Sequence, residues 1–73
     1  MTAIAKHRKI LGDSIRTHRN KTGLTQEKLA ELADLHHNYI GEVERGEKTV
    51  SVDALIRIAA ALKVPLRKLV ADL

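Results

Sequence analysis

A chain of 73 residues buries only about 60% of the surface that its unfolded form exposes, which suffices for one small core and excludes a deep substrate cleft or a dinucleotide-binding fold. The absence of cysteine excludes disulfide staples and thiolate metal sites, and a single aromatic residue, Tyr39, leaves no platform for stacking unpaired bases. Thirteen basic against nine acidic side chains give a net charge of +4, a balance that favours a polyanion and, without aromatic platforms, double-stranded DNA over single strands.

The first predicted helix runs from about Lys6 to Lys21, with Leu11 and Ile15 one turn apart, and ends at Thr22-Gly23, glycine being the residue that readily takes the left-handed closing conformation. Basic side chains fill its other faces, since residues 1–23 carry six basic groups and one acidic group. Thr25 offers an N-cap hydroxyl to a second helix, Gln26 to Ala33, in which Leu29, Ala30 and Ala33 share a face. Asp34-Leu35 reads as a tight corner. A third helix follows from about His37 to Arg45, with Ile40 and Val43 inward and Gly46 as its stop.

Ser51 caps a fourth helix whose apolar residues Val52, Leu55, Ile58, Ala59 and Leu62 recur at helical spacing, and Asp53 in its first turn suits the helix dipole. Pro65 opens a last short helix with Leu66, Leu69, Val70 and Leu73 along one side. The expected core is Leu11, Ile15, Leu29, Ala30, Ile40, Val43, Leu55, Ile58, Ala59 and Leu62. No strand pattern, linker or repeat interrupts the chain, so residues 1–73 read as one all-α domain. The apolar end exceeds what one small core covers, which makes Leu66, Leu69, Val70 and Leu73 the expected interface of a symmetric homodimer.

The third helix carries the chemistry. At about 100° per residue, with His37 at zero, Gly41 falls near 40°, Arg45 near 80°, Asn38 near 100° and Glu42 near 140°, while Val43, His36 and Ile40 face the other way and Tyr39 lies on the border. One side is available to bury and one to present, as a helix in the major groove requires. Asn38 offers the donor and acceptor that match adenine N6 and N7, and His37 a donor for guanine O6 or N7. Glu42 either accepts from cytosine N4 or is simply solvated, and Tyr39 is the remaining candidate base reader. Gln26 at the start of the second helix can donate to a phosphate, and Thr25 is either a cap alone or a phosphate contact as well. Arg45 and Lys48 are candidate phosphate contacts, with solvated side chains as the alternative.

The segment LTQEKLAELADLHHNYIGEVERG resembles the helix-turn-helix of the Cro and phage-repressor (XRE) family, and the likeness extends over about residues 11–70, from LGDSIRTHR to SVDALIRIAAALKVPLRKLV. It implies a compact five-helix, lambda-repressor-like fold with its helix-turn-helix at about residues 25–45. Arg19 and Glu44 match the family's internal ion pair, which implies a structural role for both. His18 stands where the family usually has leucine, and Asp34 where the corner usually has glycine. Within the family, LAELADLHHNYIGEVERGEKTVS most resembles the controller proteins of restriction-modification systems, homodimers that regulate their own promoter. The resemblance therefore implies a transcriptional regulator acting as a homodimer on a palindromic site, with RNA polymerase as a candidate partner.

Other readings have less in the residues to support them. His7 and His18 would stand about 16 Å apart on one helix, and neighbouring His36 and His37 point to different faces, so no metal or cofactor is expected. Ser14 and Ser51 read as a surface residue and a cap with no base beside them, so neither an enzyme nor a small-molecule ligand is expected. No run of 18 apolar residues suggests a membrane, and MTAIAKHRKI lacks a signal-type stretch, which with the missing cysteine suits a cytoplasmic, nucleoid-associated protein. The alternative of another class is an antitoxin that grips a toxin protein as well as its promoter.

Overall fold

Five helices follow one another in the computed structural model: α1 (Ala3–Thr22), α2 (Gln26–Ala33), α3 (His37–Glu44), α4 (Val52–Leu62) and α5 (Leu66–Leu69). The structure describes residues 3–73, with side chains from Lys6 onward, and among them there is no strand. Met1 and Thr2, counted in the domain and in the N-terminal stretch read above, lie outside the described residues. The first helix starts three residues earlier than the expected Lys6.

Most helix ends are marked by a local device that the sequence supplies. The hydroxyl of Thr25 accepts the Lys28 backbone N–H at 3.0 Å, and that of Ser51 accepts the Ala54 N–H at 3.0 Å, which satisfies donors left open at the starts of α2 and α4. The third helix begins differently. His36 does not face the core as its helical angle suggested; it is exposed and its Nδ1 accepts the Asn38 N–H at 3.1 Å, so an imidazole acts as the N-cap. Gly23 and Gly46 close α1 and α3 at positive φ of 74° and 76°. Asp34 takes the left-handed conformation at the corner after α2, with φ 56° and ψ 49°, and its N–H reaches the carbonyls of Ala30 and Glu31. Lys63 does the same after α4 at φ 60°, a position that nothing in the pattern singled out.

All ten expected core residues are buried, and Ala33, Ala54 and Leu69 join them. Helix α2 packs on both α3 and α4, and α1 crosses α3 so closely that their backbones nearly touch. A Cβ at Gly12 would lie 2.5 Å from the Glu44 carbonyl oxygen and closer still to that of Val43. Two readings require correction. Val52, in the apolar repeat of the fourth helix, is 69% exposed, because it lies at the margin of the buried face of α4, one turn from the exposed Ile56. Leu69, expected at a dimer interface, is 1% exposed within the chain, because α5 folds back onto α1 and α4. Leu66 and Val70 pack half-buried beside it, and of that group only Leu73, 54% exposed, is an open apolar surface.

The left-handed caps set a testable cost. A lysine with its Cβ in this conformation carries strain that glycine does not, so Lys63→Gly is expected to raise stability by about 1 kcal/mol. That corresponds to a thermal midpoint about 4–8 °C higher by far-UV circular dichroism. Asp34→Gly should gain less, because aspartate tolerates the left-handed region better than lysine.

Candidate nucleic-acid interface

The site is built outward from a buried carboxylate. Glu44, at the end of α3 and 1% exposed, accepts from Arg19 Nε at 2.6 Å and Nη2 at 3.0 Å. Arg19 also donates through Nη1 to the Leu24 carbonyl at 2.9 Å, so one guanidinium ties α1 to α3 and to the segment leading into α2. A third donor reaches the same carboxylate: Gln26 Nε2 lies 3.1 Å from Glu44 Oε1. An ionised carboxylate can only accept, so the Gln26 amide must turn its nitrogen inward and its Oε1 toward the surface. Helical angles alone give no sign of this third bond, since it depends on the register between α2 and α3.

Fixing Gln26 in this way sets it beside α3. Gln26, His37, Asn38, Gly41, Glu42 and Arg45 together line one open groove of about 230 Å³. Five of these six were candidate DNA contacts by residue type, and two helices bring them to one surface. Gly41 forms the floor, where an added Cβ would meet only the flexible ends of Arg45 (Nη1, 3.1 Å) and Gln26 (Oε1, 3.4 Å). The His37 ring stacks on the capping His36 with centroids 4.7 Å apart and planes 23° from parallel. The opposite side of α3, Ile40 and Val43, is sealed in the core.

The other candidates fall elsewhere. Tyr39 stands outside the groove, packs half-buried against the core and directs its hydroxyl to the Thr49 carbonyl at 3.4 Å. Thr25 sits at the N-terminus of α2 with its oxygen engaged by the Lys28 N–H. Lys48 is exposed in the loop that follows α3. Arg45 lines the groove but is not free, because its Nε and Nη2 donate to the two carboxylate oxygens of Glu47 at 3.0 and 3.1 Å. These hydrogen bonds hold the Glu47 carboxyl below its usual range and raise Arg45 further above its own. Glu47 was not among the residues singled out from sequence. His18, in place of the family's leucine, is half-buried with Nδ1 2.8 Å from the Ser14 carbonyl.

A larger groove of about 360 Å³ lies between α1 and the C-terminal segment, lined by Asp13, His18, Lys68 and Asp72 among others. Its charges are of both signs, and no residue singled out for DNA contact reaches it. Among the described residues no group of three or more His, Asp or Glu is placed to hold a metal ion, and no helix is long and apolar enough to cross a membrane.

Comparison with known proteins gives concordant matches. The helix-turn-helix family model matches residues 15–69. Control protein C.SmaI of Serratia marcescens is 45% identical over 62 residues, 85% of this chain and 74% of that protein. Control protein C.BamHI of Bacillus amyloliquefaciens is 43% identical over 58 residues, 78% of this chain and 72% of that protein. Among solved structures, the restriction-modification controller protein C.AhdI from Aeromonas hydrophila superposes with a TM-score of 0.84 at 39% identity, covering 85% of this chain and 94% of that one.

Since Glu44 is the shared acceptor, Glu44→Ala would leave the Arg19 charge and the Gln26 amide without their partner in a nearly dry site. The expected loss is about 3–5 kcal/mol in urea unfolding. A loss below about 1 kcal/mol would be the value of an exposed pair and would contradict the burial described here.

Proposed function

The chain belongs to the helix-turn-helix family, and on that footing we propose that it is a transcriptional regulator whose α3 reads the major groove of a specific duplex DNA site. The observation that carries the reading is the division of α3: Ile40 and Val43 are locked in the core while His37, Asn38 and Glu42 line one groove with Gln26. Asn38 supplies the paired donor and acceptor suited to adenine, His37 a donor suited to guanine, and Glu42 an acceptor suited to cytosine N4. The second N–H of the Gln26 amide, the Thr25 hydroxyl proton and the open backbone amides of α2 face a neighbouring phosphate, and Lys48 adds a charge beyond the end of α3. The protein acts by binding, and its work is to occupy a site rather than to transform a substrate.

Two copies acting together would set their reading helices about 34 Å apart, one turn of DNA, on a palindromic site. With Leu69 committed to the core, the exposed large apolar side chains among the described residues are Leu32, Val52, Ile56 and Leu73. The pair one turn apart on α4, Val52 and Ile56 at 69% and 51% exposed, is the surface that supports self-association. The similarity to C.SmaI, C.BamHI and C.AhdI supports the finer reading of a restriction-modification controller. The antitoxin alternative draws no support from these relatives.

The test begins with duplexes selected by the protein from a random pool, compared with scrambled duplexes of the same composition. Asn38→Ala is expected to lose about 1–3 kcal/mol on the selected duplex while binding to the scrambled one is kept, and Lys48→Ala to weaken both alike and lower the salt slope by about one unit. An unchanged preference after Asn38→Ala would remove α3 as the reader. Sedimentation of Ile56→Lys checks the second copy: loss of a dimer with an unchanged fold is expected, and an intact dimer would move the interface elsewhere.

A further inference from the structure

Arg45 is the C-cap of α3, and its guanidinium lies over the bare backbone of Gly41, with Nη1 3.1 Å from the point a Cβ would occupy. The chain then turns through Gly46 at φ 76°. The Gly46 N–H bonds to the Val43 carbonyl at 3.0 Å and the Glu47 N–H to the Glu42 carbonyl at 2.8 Å, the double closure that ends many helices. That closure fixes the backbone of Glu47 two residues beyond Arg45, so its carboxylate meets the guanidinium side-on with both oxygens. We propose that Arg45 reads a base edge, guanine by its chemistry, and that Glu47 is the positioning residue that aims it.

Two physical considerations separate this from a phosphate contact. A guanidinium carries five N–H groups, and Glu47 takes the Nε proton and one on Nη2. The end-on edge remains, with Nη1 and the outer Nη2 proton as parallel donors, and that fork matches guanine O6 and N7. Phosphate binding, by contrast, draws on net positive charge through counterion release. The Arg45–Glu47 pair is electrically neutral as a unit, and Glu42 adds a further negative charge near the same guanidinium. Such a pair gains little from the backbone of any duplex, and its strength lies in direction. Both partners are exposed, so the pair contributes little to folding, and its removal tests recognition in a folded chain.

The proposal rests on the DNA-reading groove put forward above, and the experiment keeps the two apart. A duplex selected by the wild-type protein from a random pool, and its scrambled counterpart, are titrated at two salt concentrations with wild type, Arg45→Ala, Glu47→Ala and the double variant. Melting curves confirm equal folding. Arg45→Ala is expected to weaken the selected duplex about 5- to 150-fold, the range of one bidentate base contact. Arg45→Ala leaves the Glu47 carboxylate uncovered and should weaken the scrambled duplex slightly, whereas the double variant removes the neutral pair whole and should keep the scrambled binding and salt slope of wild type. In both, the loss on the selected duplex should trace to one guanine when each base pair is changed in turn. Glu47→Ala removes a negative charge and is expected to tighten the scrambled duplex slightly while lowering the preference for the selected one several-fold. In the Arg45→Ala background that effect on preference should vanish, because Glu47 acts through Arg45. Equal weakening of both duplexes by the double variant, with the salt slope reduced by about one unit, would make Arg45 a phosphate contact and overturn the proposal. An effect of Glu47→Ala that persists without Arg45 would overturn the positioning role. If the wild type selects no duplex at all, the proposed function fails together with this inference; if it selects one and Arg45→Ala leaves the preference intact, only the inference fails.

Discussion

The carboxylate of Glu44 is the point on which the proposed reading surface hangs. It lies almost out of contact with water and accepts from Arg19 twice and from Gln26 once. A buried charge is costly unless its lone pairs are satisfied, and here the satisfying donors come from α1 and from the first turn of α2. The orientation of α3 against both helices is therefore set by hydrogen-bond geometry in addition to packing. Hydrophobic burial of Ile40 and Val43 tolerates small slips of a helix; a bidentate pair at 2.6 and 3.0 Å does not. Base readout needs that stricter tolerance, because the edges that distinguish one base pair from another differ by the position of single donors and acceptors.

Gly12 works in the same direction by steric means. Because an added Cβ would strike the carbonyls of Val43 and Glu44, α1 and the end of α3 approach closer than any side chain would permit. The short distance keeps Arg19, two turns along α1, within reach of Glu44. Packing of backbone on backbone and the buried ion pair thus reinforce one constraint, and the groove with Gln26, His37, Asn38 and Glu42 inherits its shape from both.

Much of this was legible in the sequence. The period of apolar residues located all ten expected core positions, and the cap residues Thr25 and Ser51, with Gly23 and Gly46, marked most helix ends. What escaped depended on tertiary placement. Val52 belongs to the apolar repeat of α4 but lies at the margin of its buried face, one turn from the exposed Ile56. Leu69 reads as surplus apolar surface only if α5 is imagined projecting outward, whereas it returns to the core. A helical wheel also treats His36 as a helical residue, yet it is the cap, where the backbone is extended and the wheel no longer applies. Glu47 lies past the end of α3 and has no wheel angle at all, so its meeting with Arg45 follows from the turn at Gly46.

The charge distribution gives the neutral Arg45–Glu47 pair its wider meaning. Residues 24–46, which include both helices of the motif, carry two basic and five acidic side chains, while residues 1–23 carry six basic and one acidic, so the positive field originates away from the reading groove. A groove lined with unpaired cations would raise binding to every duplex equally, since each phosphate contact adds affinity without discrimination. Specific occupancy in the presence of abundant competing DNA depends on the ratio of specific to non-specific affinity. On the proposed reading, a surface made of amide, imidazole and a charge-compensated guanidinium withholds affinity from the wrong sequence, because its donors are strong only where a base edge meets them in register. The exposed Lys48 in the loop after α3 adds, on the same reading, attraction to DNA in general, and the groove decides where along it the protein rests.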